Sequence, residues 1–158
     1  EINNNLQVES YEKAKIILDK YGISKDSVAI WGTGLPRREF LHSDDLADAC
    51  FYIMENIDFK DLIDTEEIKN THINIGFGKD ISIKELALLV KKIIGFEGEL
   101  SFDYSKPDGT MQKLLDISRL KSLGWSASIG LEQGIKSVYH NYEETHPPTP
   151  SLSKREGE

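Results

Sequence analysis

The stretch Val28–Asp48, VAIWGTGLPRREFLHSDDLAD, carries the signals that decide the fold. Residues 28–31 are apolar and predict a short strand, and two glycines with a proline over 32–36 predict a turn. Residues 37–42, which begin with two arginines, predict a second strand. A helix is predicted to start at Ser43, because its hydroxyl can accept hydrogen bonds from exposed backbone N–H groups and the two acids that follow are favoured by the helix dipole.

The helix predicted from Ser43 extends to about Asn56 and has one apolar stripe. The positions of this stripe recur at helical spacing and are Leu46, Ala49, Cys50, Ile53, Met54 and Ile57. The chain has a single cysteine. Because Cys50 lies on the stripe, we expect its side chain to be buried as a packing residue rather than to act as a nucleophile.

The rest of the chain alternates between helical and strand patterns, which predicts an α/β fold. The clearest helix start is the capping box of Ser82 and Glu85, and Gly95 is suited to end that helix. Helices are predicted to start at Ser10, Ser43, Ser82, Asp116 and Leu131, and strands at Val28, Glu39, His72 and Glu99. The inner face of the last helix is predicted to consist of Leu131, Ile135, Val138, Tyr139 and Tyr142.

Length and charge limit the possible functions. The chain has 158 residues, of which 19 are basic and 27 acidic, and its net charge is −8. This length suits a single domain, and the negative charge argues against a general affinity for nucleic acid phosphates. Apolar runs are shorter than the roughly 20 residues that a membrane span requires. We therefore expect a cytoplasmic protein that binds neither nucleic acid nor membrane.

Two irregular segments place positive charge beside flexible backbone. Arg37 and Arg38 follow the 32–36 turn, and Lys106 and Lys113 flank the sequence Pro-Asp-Gly over 107–109. A phosphate-bearing ligand needs such donors, since an arginine fork can hold two phosphate oxygens and a lysine supplies a movable point charge.

Trp31 and Asp108 complete this candidate ligand site. Trp31 ends its strand and could stack on a ring of the ligand, and Asp108 could accept hydrogen bonds from ligand hydroxyls or amines. The sequence leaves a second interpretation open, in which Trp31 fills the core, the arginines are solvated and Asp108 only makes a turn.

Other patterns are assigned structural roles. Gly-Phe-Gly over 76–78 lacks the third glycine of a dinucleotide loop and is interpreted as a tight turn. His42 lies near Asp44 and Asp45, but the start of a helix explains both acids without a metal ion. No residue of the chain is assigned a catalytic, cofactor-binding or metal-binding role.

Three segments together resemble the GDP-L-fucose synthase family of extended short-chain dehydrogenase/reductases. They are WGTGLPRREFLHSDDLADA over 31–49, NIGFGKDISIKELA over 74–87 and KPDGTMQKLLDISRLKSLGW over 106–125. The likeness extends from Val28 to about Tyr142. Its most discriminating part is the run Lys-Pro-Asp-Gly-Thr from Lys106.

The resemblance implies an enzyme that converts GDP-4-keto-6-deoxy-D-mannose to GDP-L-fucose with NADPH, as both an epimerase and a reductase. It further implies that Trp31, Arg38 and Asp108 contact the nucleotide-sugar and that Lys113 lies near the diphosphate. Only the C-terminal, substrate-binding part of this fold is expected in the chain, without most of the Rossmann sheet. NADPH would then be bound by a missing N-terminal half, and the chain alone would be inactive.

The chain is expected to have three regions. They are a helical lead-in or insertion over 1–27, a substrate-binding portion over 28–144 that packs on the missing Rossmann domain, and a disordered tail over 145–158. The full-length enzyme is expected to be a homodimer. Two other functions stay open, namely another nucleotide-sugar epimerase, dehydratase or reductase of the same superfamily, and a non-catalytic binding or interaction module.

Overall fold

A computed structural model describes residues 11–63 and 70–146 of the chain. Its α-helices are α1 (Tyr11–Asp19), α2 (Ser43–Asn56), α3 (Ile83–Ile94), α4 (Ser118–Ser122) and α5 (Leu131–Thr145), and a 3-10 helix spans Phe59–Leu62. Its strands are β1 (Ser27–Trp31), β2 (Arg37–Glu39), β3 (Asp80–Ser82), β4 (Glu99–Asp103) and β5 (Gln112–Lys113). The α/β prediction is confirmed. The predicted cap at Ser10 and the tail beyond residue 146 lie outside the described residues.

Two small sheets bring two distant connections together. In one sheet β1 runs parallel to β4, with Trp31 opposite Asp103. In the other sheet β2 lies between β3 and β5, antiparallel to β3 and parallel to β5. The β1–β2 and β4–β5 connections therefore start at the same end of the parallel pair β1 and β4. They also reach the parallel pair β2 and β5 at the same end. This topology sets the 32–36 turn beside the 104–111 loop.

Two of the predicted strands differ in the structure. The strand predicted over 37–42 ends at Glu39, because His42 is the cap of α2: its Nδ1 accepts a hydrogen bond from the Asp44 N–H at 3.2 Å. Ser43, the predicted cap, is the first helical residue instead.

The strand predicted at His72 is absent, and residues 72–75 are irregular. Side chains satisfy backbone groups of this segment and of its neighbour in place of a sheet ladder. Arg119 donates hydrogen bonds to the carbonyl oxygens of Asn70 and His72, and the Asn74 amide donates to the carbonyl oxygen of Asp116 at 3.0 Å. The segment is thereby held in place without strand pairing.

The start and end of α3 agree with the sequence prediction. Ser82 accepts a hydrogen bond from the Glu85 N–H at 3.1 Å, and the Glu85 carboxylate accepts one from the Ser82 N–H at 3.0 Å. Gly95 ends the helix in the left-handed conformation with φ of 68°. The capping box therefore fixes where β3 stops and α3 begins.

The buried core is small and lies between α2 and α4. Ala49, Leu120 and Trp125 are buried in contact, and the partly buried side chains around them are Leu41, Tyr52, Ile53, Ile73, Ile75 and Ala127. The Trp125 indole N–H also donates to Asp48 at 2.8 Å, so the ring is fixed in orientation.

Part of the apolar stripe of α2 faces away from this core. Met54 is 81% exposed, and Leu46 and Cys50 are exposed as well. The prediction that Cys50 is buried is therefore wrong. The physical reason is that only the Ala49 and Ile53 side of the stripe has a packing partner in the part of the chain that the structure describes. No helix within 11–63 and 70–146 has the length and apolar character to span a membrane.

Asp45 has a structural role that the sequence analysis missed. Its side chain is 3% exposed and joins the start of α2 to the segment before α5. One carboxylate oxygen accepts from the Ser128 N–H at 3.0 Å and the Ser128 hydroxyl at 2.9 Å, and the other accepts from the Ile129 N–H at 2.9 Å. Burial alone raises the pKa of Asp45, but these hydrogen bonds outweigh it and hold the pKa below its ordinary value.

We expect Asp45→Asn to lower the free energy of unfolding by about 1–3 kcal/mol at neutral pH, because an amide cannot accept all three hydrogen bonds and leaves buried donors unpaired. A carboxyl group with a lowered pKa in the folded state stabilises the fold above its unfolded pKa, and this stability is lost as the pH falls through the folded pKa. Urea denaturation between pH 7 and pH 3 should therefore show an acid-induced loss in the parent protein that is smaller in the variant. Asp44→Asn is the matched control, since that side chain is 77% exposed. Equal effects of the two substitutions would contradict the assigned role.

Candidate functional site

The 32–36 turn and the 104–111 loop are joined by one carboxylate. Asp108 Oδ1 accepts a hydrogen bond from the Thr33 N–H at 2.8 Å, and Asp108 Oδ2 accepts one from the Thr33 hydroxyl at 2.6 Å. Gly32 has φ of 80°, and a β-carbon at this position would overlap the Asp108 carboxylate. The turn therefore needs glycine both for its backbone conformation and for the close approach of Asp108.

Trp31 lies at the open end of β1 and is 66% exposed. The Lys106 ammonium is 5.6 Å from the centre of the Trp31 ring, which is within the range of a cation–π contact. The interpretation in which Trp31 fills the core is wrong, because its side chain is largely exposed and the buried core contains Trp125 instead. Trp31 is available to stack on a planar group.

Arg37 has a structural role, in which its side chain pairs with Asp80. Its Nε donates to Asp80 Oδ1 at 2.8 Å, and Nη2 donates to the Asp80 carbonyl oxygen at 3.2 Å. The hydrogen bond to Asp80 raises the pKa of Arg37, and hydrogen bonds from Gln112 and Arg37 lower the pKa of Asp80. Arg37 thus ties β2 to β3 and has its charge balanced there.

Arg38 and Lys113 lie on the other face of the same sheet. They are register partners on the parallel strands β2 and β5, and side chains alternate between faces along a strand. The Arg38 Nη2 lies 3.3 Å from the position of a β-carbon on Gly109, and Nη1 donates to the Arg37 carbonyl oxygen at 2.6 Å. Neither Arg38 nor Lys113 has a carboxylate partner among the described residues.

The contacts described above connect the four predicted site residues, which are Trp31, Arg38, Asp108 and Lys113. Following the chain from β4, the loop places Lys106 over Trp31, Asp108 on Thr33, Gly109 against Arg38, and then Lys113 beside Arg38. Thr33 was missed, and the only sequence signal for it is a hydroxyl between the two glycines of a tight turn.

The Gly76–Gly78 turn binds a carboxylate of the chain itself. The Gly78 N–H donates to Glu39 Oε1, and the Leu115 N–H donates to Glu39 Oε2 at 3.0 Å. A β-carbon on Gly76 would lie 2.6 Å from Glu39 Oε1. The prediction of a tight turn is confirmed, and the turn fixes the end of β2 just after Arg38.

Three comparisons with known proteins show what the chain is similar to. A model of the NAD dependent epimerase/dehydratase family matches residues 9–76. A Campylobacter jejuni enzyme described as a GDP-6-OMe-4-keto-L-xylo-heptose reductase has a crystal structure that matches with a TM-score of 0.85 at 57% identity, over 91% of this chain and 41% of that chain. Over residues 9–76 the chain is therefore similar to the NAD dependent epimerase/dehydratase family.

Curated relatives of the chain include GDP-L-fucose synthases of Escherichia coli and Arabidopsis thaliana. The chain is 48% identical to the Escherichia coli protein over 71% of this chain and 35% of the relative. It is 40% identical to GDP-L-fucose synthase 1 of Arabidopsis thaliana over 89% of this chain and 42% of the relative. The chain spans about 35–42% of the length of these two curated relatives. The α/β fold is that of part of an extended short-chain dehydrogenase/reductase, with most of the Rossmann sheet absent from the described residues.

An apolar groove of about 450 Å³ lies elsewhere in the fold. It is bounded by residues 40–43, α3 and α5, and includes none of Trp31, Arg38, Asp108 and Lys113. The five residues predicted as the inner face of α5 all line it, but Val138 and Tyr142 are 59% and 58% exposed. The inner face of α5 is therefore correctly assigned but only partly covered.

Proposed function

We propose that this chain forms the GDP-sugar-binding part of an NADPH-dependent enzyme of the GDP-L-fucose synthase type, which epimerises and reduces a GDP-linked 4-keto sugar. The observation that carries the proposal is the 104–113 segment, which places Lys106, Asp108 and Lys113 against Trp31, Thr33 and Arg38. Arg38 and Lys113, which have no carboxylate partner among the described residues, and the exposed indole of Trp31 suit a ligand that combines a diphosphate with an aromatic base.

Each side chain has a distinct part in this binding. The guanidinium of Arg38 can hold two oxygens of the diphosphate, and Lys113 adds a second positive charge on the same face of the sheet. Trp31 can stack on the base, since stacking needs only an accessible aromatic face. Arg37 is excluded from this role because Asp80 already holds its charge.

The described residues do not fit the dinucleotide cofactor. A dinucleotide diphosphate is held where a strand leads through a glycine turn into the N-terminus of a helix. Here β1 leads through its glycine turn into β2, and β4 leads into β5. We therefore place the NADPH site, and the catalytic groups that act with it, outside residues 11–63 and 70–146.

A heptose is a second candidate for the sugar. The Campylobacter jejuni heptose reductase is 57% identical to this chain, compared with 48% for the Escherichia coli GDP-L-fucose synthase. Both names specify a GDP-linked sugar, so the proposed base and diphosphate contacts are the same. Turnover of GDP-4-keto-6-deoxy-D-mannose and of a GDP-4-keto-heptose, measured as NADPH oxidation, would separate the two substrates.

Nucleotide binding tests the shared part of the proposal. With the protein expressed from its complete coding sequence, we expect GDP to quench the emission of the exposed Trp31 and to bind more tightly than UDP or dTDP. Trp125 is buried and should contribute little to the change. A preference for UDP or dTDP, or the absence of nucleotide binding, would overturn the proposal. We also propose that the complete protein is a cytoplasmic homodimer, which light scattering can test.

A further inference from the structure

Thr33 uses two donors to hold one carboxylate. Its backbone N–H and its hydroxyl each bind a different oxygen of Asp108, at 2.8 and 2.6 Å. The same hydroxyl accepts a hydrogen bond from the Leu35 N–H at 3.1 Å. The hydroxyl therefore closes the turn internally and also joins it to the 104–111 loop.

This pair of hydrogen bonds lies at the centre of the proposed ligand site. Trp31 is two residues before Thr33, and Lys106, which covers the indole ring, is two residues before Asp108. Gly109, which follows Asp108, lies against Arg38. If the loop shifted relative to the turn, Lys106 would move away from the Trp31 ring, and the backbone at Gly109 would move relative to the Arg38 guanidinium.

The Gly32 backbone lies close to the Asp108 carboxylate, which shows that the turn and the 104–111 loop are closely packed. The backbone at Gly32 leaves no space for a β-carbon on the side of Asp108. Both Asp108 oxygens already accept a hydrogen bond from Thr33, which accounts for the orientation of this carboxylate without a ligand.

We propose that Thr33 is a positioning residue for GDP-sugar binding and that Asp108 acts on the ligand through Thr33. Together the two residues hold the 104–111 loop against the turn, so that Trp31, Arg38 and Lys113 face one ligand. This inference rests on the proposed function for the identity of the ligand. Its structural part, the dependence of the loop on the Thr33 hydroxyl, is independent of any ligand.

The decisive comparison is Thr33→Val with Thr33→Ser in the protein expressed from its complete coding sequence. Valine keeps the shape of threonine but removes the hydroxyl, whereas serine keeps the hydroxyl. We expect Thr33→Val to raise the KM for the GDP-sugar about 5–30-fold with little change in kcat, in line with the loss of one or two hydrogen bonds that support ground-state binding. Thr33→Ser should stay within about twofold of the parent, since it keeps both donors.

A double-mutant cycle separates positioning from direct contact. If Asp108 acts through Thr33, Asp108→Ala combined with Thr33→Val should raise the KM no more than the larger single effect. Additive losses would show that Asp108 binds the ligand independently and would overturn the inference. Thermal unfolding of each variant identifies any that fail to fold, and Thr33→Ser then supplies the folded comparison.

Hydrogen–deuterium exchange of the 104–111 loop without ligand completes the test. We expect faster exchange in Thr33→Val than in the parent and in Thr33→Ser. Equal exchange in all three proteins would overturn the inference even if GDP binds. If the parent binds no GDP, the proposed function fails, and the exchange result still decides whether Thr33 holds the loop.

Discussion

Replacing Arg38 by methionine is expected to weaken GDP binding about 10–150-fold, because a hydrogen-bonded pair between charged groups contributes about 1.5–3 kcal/mol. Arg38 lies on the sheet face that carries Lys113 and lies against the 104–111 loop at Gly109. Methionine keeps much of the length of the side chain but removes the fork that could hold two diphosphate oxygens. Titration calorimetry with GDP measures the change.

Two control variants make this result specific. Arg38→Lys keeps the charge without the planar fork, so its affinity for GDP should lie between the parent and Arg38→Met. Arg37→Met removes the neighbouring arginine, whose charge is paired with Asp80. We expect it to reduce stability rather than GDP affinity in the folded protein. If Arg37→Met weakens GDP binding and Arg38→Met does not, the assignment of the two arginines is reversed.

Residue patterns alone could not distinguish Arg37 from Arg38 as a ligand donor, and only the family resemblance selected Arg38. Adjacent residues on a strand face opposite sides of a sheet, and which side receives Asp80 depends on the register of β2 with β3. That register is set by pairing between residues more than forty positions apart, which local patterns do not encode. The side of the sheet became known only from the structure.

The two tryptophans show the same limit. Each follows or precedes a glycine and lies near an apolar segment, so composition gives either of them a place in the core. The structure buries Trp125, whose indole N–H is paired with Asp48, and leaves Trp31 exposed at the end of β1. The exposure of Trp31 contradicts the interpretation in which it fills the core and is compatible with the ligand hypothesis, which stays a prediction.

Local signals were reliable where the interacting residues are close in sequence. The capping box of Ser82 and Glu85 is an interaction over three residues and is present as predicted. The prediction that Cys50 is buried failed, because helical spacing defines an apolar stripe but does not show which part of the stripe packs against another element. Asp45 was assigned to the helix dipole, although its partners Ser128 and Ile129 are more than eighty residues away.

The largest loss of stability is expected for Leu120→Ala. Leu120 is 1% exposed and packs with Ala49 and Trp125, so it is the largest fully buried side chain in the described part of the chain. Truncation of a buried leucine costs about 2–5 kcal/mol, since it loses the transfer free energy of the removed atoms and leaves a cavity. The cost should lie in the upper half of that range, because Trp125 is fixed by Asp48 and cannot move freely into the space.

Leu114→Ala is the matched control, because Leu114 precedes the same helix but is 45% exposed. Urea denaturation should give a change of less than about 1 kcal/mol for this variant, as is usual for surface substitutions. Similar losses for both variants would show that α4 is not packed as the structure has it. Folded Leu120→Ala protein should still bind GDP with near-parent affinity, since none of Trp31, Arg38 and Lys113 belongs to the core cluster around Leu120. A parallel loss of affinity would mean instead that the core between α2 and α4 holds β5, and with it Lys113, in position.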